Sequence, residues 1–196
     1  MKISTVNDIE GIRGELFHMI LFSMAWAMMG EYIIDFTDFA MGVILTLICV
    51  VFLALYSIRL YDLEGELEEL GRISFYSDQG EKRRDRSYAL ILLFEGIAVL
   101  VSWSILLKYG HDNWVIPAFA LIAGLHFIPL ARLIRQTSYY YLGVWISLLA
   151  VVCYWLFMSG RIDDRLANTV IAYGCAAGSV LDGIAIIFRA RRQLQS

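Results

Sequence analysis

The chain has 196 residues, of which 59% are hydrophobic and 18% are charged, and its formal net charge is −3. Soluble domains usually carry about 25% charged residues, so the composition excludes an ordinary soluble domain. The apolar residues form six runs, each close to the roughly 20 residues that cross a bilayer. The composition predicts a single all-α domain over residues 1–196, with the lipid bilayer as a partner and no nucleic acid.

Six transmembrane helices are predicted in chain order, and short turns join them into three antiparallel hairpins. The first apolar run continues past a signal-peptide-like Ala25-Trp26-Ala27 sequence, so we interpret it as a retained helix. The one long loop, 62–86, begins with leucines at helical spacing and continues into a basic cluster. The predicted helices cover about 12–34, 40–61, 87–107, 114–135, 139–158 and 166–188.

Lysine and arginine are distributed unevenly between the two sides of this arrangement. Of the 16 lysine and arginine residues, thirteen lie on the side of both termini and three, Lys108, Arg161 and Arg165, lie on the other. Cytoplasmic loops of membrane proteins carry the excess of these residues. The sequence therefore predicts a multi-pass inner-membrane protein with both termini in the cytoplasm.

Several titratable residues are predicted to lie at membrane depth, in the cytoplasmic half of the bundle. Glu95 and His126 are almost equally distant from the turn near His111, so they share a level on neighbouring helices. The same arithmetic puts His18 and Asp182 about one helical turn nearer the cytoplasm. Such residues either form a hydrogen-bonded structural network or serve as a proton relay or solute site. Metal binding is the least favoured alternative, and no cofactor is predicted.

Three further features concern helix packing. Glu15 and Arg59 are equally far from the first turn, which predicts a structural ion pair near the membrane interface. Pro129 removes one backbone hydrogen bond and predicts a kink in the fourth helix. Gly124 would allow a neighbouring helix to approach closely, and Gly174 with Gly178 forms a G-x-x-x-G surface. We expect that surface to pack inside the monomer, with a homodimer interface as the alternative.

An acidic group is predicted at the first turn, on the side opposite the termini. Glu31, Asp35 and Asp38 cluster there. We interpret them as a solvated loop, with a cation-attracting mouth as the alternative.

The stretch GLHFIPLARLIRQTSYYYLG, together with IEGIRGEL ahead of a tryptophan-containing first helix, resembles a group of small six-span bacterial membrane proteins of unknown function. Their fourth helix carries a G-x-H-x-x-P pattern, which here matches Gly124, His126 and Pro129. The resemblance implies a bacterial six-helix membrane protein. It implies no activity.

The leading functional hypothesis is a small proton-linked transporter or channel that uses Glu95, His126, Asp182 and His18 as proton or solute ligands. One alternative is an intramembrane lipid-modifying enzyme, although no catalytic residues are assigned and a non-enzyme is favoured. Another is a non-catalytic membrane partner, sensor or substrate-capture subunit.

Overall fold

The computed structural model describes residues 6–34, 41–69 and 79–195, with side chains in 11–34, 44–62 and 86–192. Over these residues the secondary structure consists of helices joined by short turns, with no strand. The six long helices are α1 (Val6–Ile33), α2 (Met41–Glu69), α3 (Gln79–Lys108), α4 (Val115–Ile134), α5 (Thr137–Met158) and α6 (Asp164–Gln195). A short 3₁₀ turn, Asp112–Trp114, precedes α4.

All six helices are long and apolar enough to span a membrane, which indicates a multi-pass membrane protein. Their outer faces carry exposed aliphatic and aromatic side chains such as Phe94, Leu55 and Leu181. A soluble monomer rarely exposes apolar surface on this scale. The leucine spacing at the start of segment 62–86 predicts an extension of the second helix, and α2 does continue to Glu69. The rest of the segment is predicted as a loop, but α3 already begins at Gln79.

The helices α3 and α5 end in the same glycine motif. Gly110 after α3 and Gly160 after α5 have φ of +70° and +69°. At each, the N–H of the following residue donates to a carbonyl five residues earlier, at 2.9 and 3.1 Å respectively. This is the Schellman arrangement, in which glycine adopts a left-handed φ without strain. The α3–α4 and α5–α6 connections are therefore short and tightly defined.

The helix at the centre of the bundle is α6. It contacts α1, α2, α4 and α5, and 56% of the residues in its most apolar 18-residue stretch are buried. The least buried helix is α3. It packs mainly on α4, and none of the residues in its most apolar 18-residue stretch is buried. A titratable side chain on α1, α4, α5 or α6 can consequently be enclosed by protein, whereas α3 contributes from the edge of the bundle.

Glycines allow the closest helix contacts. A Cβ on Gly124 would lie 2.8 Å from the Ser147 backbone nitrogen and 2.9 Å from the Gly143 carbonyl oxygen. This confirms the close approach predicted at Gly124, and it joins α4 to α5 backbone against backbone. Gly174 and Gly178 face Leu149 and other side chains of α5, which confirms packing inside the monomer.

Candidate functional site

Glu95 of α3 and His126 of α4 lie side by side in the bundle. The His126 Nδ1 and Glu95 Oε1 atoms are 3.0 Å apart, and the two side chains are 5% and 17% exposed. The Gly110 turn between the helices brings these residues to one depth. The packing of α3 on α4 brings them to one side.

Glu95 and His126 are in close contact, and this contact is an ion pair only when His126 is protonated. Neither ring nitrogen of His126 makes a hydrogen bond to a described residue. His126 thus has two buried nitrogen atoms that can accept or donate a proton.

His18 of α1 is the second histidine of this cluster. Its ring centroid is 6.3 Å from that of His126. The Tyr88 hydroxyl of α3 is 3.3 Å from His18 Nδ1, and no described residue hydrogen-bonds His18 Nε2. Phe22 and Phe127 pack against both histidine rings. We name Glu95, His126, His18 and Tyr88 the histidine cluster.

Asp182 lies in a separate polar group and not with His18. Its side chain is 7% exposed, and its polar neighbours are Ser138 of α5 and Arg189 of α6. Arg189 Nη2 donates to the Ser138 hydroxyl at 3.1 Å. The number of residues between Asp182 and the turn before α6 predicts its depth in the membrane. The packing of α6 on α5 decides which side chains Asp182 contacts.

Glu15 of α1 approaches Arg189 of α6. The Glu15 Oε2 and Arg189 Nη1 atoms are 3.8 Å apart, and the Arg59 side chain is exposed on α2. The packing of α1 along α6 as well as α2 allows this contact. The predicted pair of Glu15 with Arg59 stays a prediction. We name Glu15, Asp182, Arg189 and Ser138 the arginine cluster.

Two tyrosines connect the clusters, and the sequence reasoning missed both. Tyr139 of α5 is 1% exposed and lies within electrostatic reach of Glu15, Asp182 and Tyr88. Tyr88 in turn is an electrostatic neighbour of Glu15 and Glu95. Both residues stand near the first turn of a predicted membrane span, a position that usually indicates an interfacial aromatic belt. Here their phenol groups lie instead near the acidic residues of both clusters.

Glu31 corrects the prediction of a solvated acidic turn. Its side chain is only 1% exposed, and the Tyr173 hydroxyl of α6 donates a hydrogen bond to Glu31 Oε1. Asp35 and Asp38 lie outside the described residues. Glu31 lies inside α1, which extends to Ile33, and not in the turn that follows. Its position within the predicted first helix was the sequence signal for a contact with another helix.

Pro129 lies within the continuous helix α4, and its side chain is on the exposed face. The kink predicted there stays a prediction. In the described part of the chain, no group of three or more His, Cys, Asp or Glu residues is arranged to hold a metal ion. Cys49, Cys153 and Cys175 are free thiols.

A comparison with known families places part of the chain. Residues 87–178 match the profile of a family of unknown function, DUF7010. The match covers less than half of the chain, from α3 into α6, and includes Glu95 and His126 but not His18 or Glu15. No curated protein and no solved structure matches the chain. This similarity assigns no activity, so function has to be argued from the site.

The pairing of Glu15 can be tested by double-mutant cycles. We expect Glu15→Gln and Arg189→Gln to be coupled by about 0.5–1 kcal/mol in unfolding free energy, because each charge loses its partner in either single variant. Glu15→Gln and Arg59→Gln should be additive. Equilibrium unfolding in detergent measures both cycles. Coupling to Arg59 and additivity with Arg189 would contradict the structure.

Proposed function

We propose that the protein is a small proton-linked transporter or channel, with the histidine cluster as its proton-binding site. The observation that carries this proposal is the 3.0 Å approach of Glu95 Oε1 to His126 Nδ1 inside a membrane-spanning bundle. Histidine exchanges protons near physiological pH more readily than other side chains. The neighbouring carboxyl group is a second group that can hold a proton.

The neighbouring groups support a path for protons. Tyr88 connects the histidine cluster to Glu15, and Tyr139 connects Glu15 to Asp182. Phenol, imidazole and carboxyl groups all gain and lose protons, and buried chains of such groups form proton relays in membrane proteins. A purely structural network would instead have its acceptors and donors matched. The Nε2 atoms of His18 and His126 have no hydrogen-bond partner among the described residues, which favours a working site.

The proposed orientation places this path in the cytoplasmic half of the membrane. We propose three antiparallel hairpins with both termini in the cytoplasm of a bacterium, supported by the thirteen-to-three distribution of lysine and arginine. Glu15, Asp182 and Arg189 then lie between the histidine cluster and the cytoplasm. The solute that moves with the proton is small, because the polar groups are enclosed by neighbouring helices. A homodimer in the bilayer is compatible with this arrangement.

Proton flux into sealed vesicles tests the proposal. The purified protein is reconstituted into vesicles that contain a pH-sensitive dye, and a potassium diffusion potential drives protons inward. We expect the wild-type protein to acidify the lumen above the rate of empty vesicles. Glu95→Gln should lose most of this flux, because the amide keeps the shape of the side chain but cannot hold the charge beside His126.

Asp112→Asn is the matched control, because Asp112 is an exposed carboxylate in the turn between α3 and α4. It should leave the flux unchanged. Thermal unfolding of each variant shows whether it has folded. If wild-type and empty vesicles acidify equally, the proposal fails. If Glu95→Gln keeps the wild-type flux, the assignment of the site fails. A lowered melting temperature with unchanged flux would indicate a structural role.

A further inference from the structure

A second buried carboxyl group lies near the other end of α1. Glu31 is thirteen residues beyond His18, which is about 20 Å along the helix axis. The stretch between them packs Trp26 and Ala27 into the core, and the Ser23 hydroxyl donates to the carbonyl of its own helix. Glu31 therefore does not belong to the histidine cluster or the arginine cluster.

The contact between α1 and α6 encloses Glu31. A Cβ on Gly30 would be 3.0 Å from the Tyr173 ring, so the ring lies directly on the α1 backbone. In this position the Tyr173 hydroxyl reaches the next residue and donates to Glu31 Oε1. The glycine and the tyrosine together cover the carboxyl group, which leaves Glu31 1% exposed.

The other carboxyl oxygen is unsatisfied. Glu31 Oε2 is buried and has no hydrogen-bond partner in the part of the chain that the structure describes. The ion pairs found there involve Glu95 and Glu15 and not Glu31. A second acceptor, Asn168 Oδ1 on α6, is also buried without a partner about one and a half helical turns from Tyr173.

The charged groups on the neighbouring helices do not neutralise this carboxylate. The sequence of α2 contains no charged residue or histidine before Arg59. On α6, Asp164 and Arg165 are exposed near the first turn, and Tyr173 and Cys175 are the titratable groups between them and Asp182. On α1 itself, Tyr32 is exposed. Burial of an isolated carboxylate is costly, and a bound cation at Oε2 would remove that cost.

We propose that Glu31 and Tyr173 form a second binding site, which takes a small monovalent cation, either a proton or an alkali metal ion, on Glu31 Oε2. The hydrogen bond from Tyr173 to Oε1 fixes the orientation of the carboxyl group and therefore the position of Oε2. The cation removes the net charge of the carboxylate. This site is independent of proton transport through the histidine cluster, and its test does not use a transport assay.

The melting temperature of the purified protein in sodium-free choline buffer tests the proposal. A site that binds a proton in the folded state and loses it on unfolding makes the protein less stable as the pH rises. We expect the wild-type melting temperature to fall by several degrees as the pH rises. Glu31→Gln should remove this part of the fall, because its amide is neutral at every pH. An identical pH dependence in both proteins would overturn the proposal.

Tyr173→Phe should change the pH dependence, whereas Tyr32→Phe, on the exposed neighbour of Glu31, should not. Sodium distinguishes the two cations. If sodium chloride at high pH raises the wild-type melting temperature above that in choline chloride, but not that of Glu31→Gln, the site accepts an alkali ion. If sodium has no effect, the ligand is the proton.

A chemical label covers the case in which Glu31→Gln does not fold. A hydrophobic carbodiimide adds to a protonated carboxyl group and rearranges to a stable N-acylurea, which mass spectrometry locates on a peptide. We expect wild-type Glu31 to be labelled less as the pH rises. Constant labelling across the pH range would overturn the proposal.

Discussion

Replacement of Gly124 with leucine is expected to abolish the packing of α4 on α5. The α-hydrogen side of Gly124 faces the Ser147 nitrogen and the Gly143 carbonyl, and both are backbone atoms that cannot rotate away. Any side chain would push the helices apart along their shared length. Overpacking costs about 1–3 kcal/mol where side chains can adjust, and here we expect at least the upper value. Thermal unfolding in detergent, followed by tryptophan fluorescence, measures the loss.

Gly96→Leu is the matched control for Gly124→Leu. Gly96 also lies inside a membrane-spanning helix, but nothing within 4 Å would meet a Cβ there. We expect it to fold like the wild type or slightly better, since leucine favours helix over glycine. Equal stability of the two variants would show that α4 and α5 do not approach as closely as the structure has them.

His126→Phe is expected to remove proton flux while the protein stays folded. The His126 ring packs 4.2 Å from Phe127 and 6.4 Å from Phe22, centroid to centroid, so another flat ring fits an aromatic setting. Phenylalanine keeps that packing but has no nitrogen that can exchange a proton beside Glu95. We therefore expect flux close to that of empty vesicles, with a melting temperature within a few degrees of the wild type.

The third histidine is the control for this change. His111 is exposed in the turn after α3 and stacks on Trp114 at 4.9 Å. His111→Phe keeps an aromatic stack and should leave the flux unchanged. Normal flux through His126→Phe would remove His126 from the proton path. A sharp loss of stability in His126→Phe, together with wild-type flux, would identify the ring as a packing element only.

The position of α3 gives Glu95 a particular role in the bundle. This helix packs mainly on α4, and none of the residues in its most apolar 18-residue stretch is buried. It nevertheless supplies both Glu95 and Tyr88 to the histidine cluster. These polar contacts lie beside its packing on α4. We expect the removal of the Glu95 carboxylate to weaken them.

The sequence by itself determined the helices and the depth of their polar residues. Apolar runs of membrane-spanning length predict six helices, and a rise of about 1.5 Å per residue converts distance from a turn into depth. That local geometry is why Glu95 and His126 could be placed at one level from the Gly110 turn. The close approach at Gly124 was likewise readable, because only a glycine lets two backbones meet.

The tertiary structure decided which side chains each polar residue contacts. Glu15 approaches Arg189 because α1 lies along α6 as well as α2. Glu31 is buried and not solvated because Gly30 lets Tyr173 cover it. The depth of a residue follows from its own helix, but its partners follow from the order and rotation of helices distant in the chain. Those depend on side-chain packing across the whole bundle.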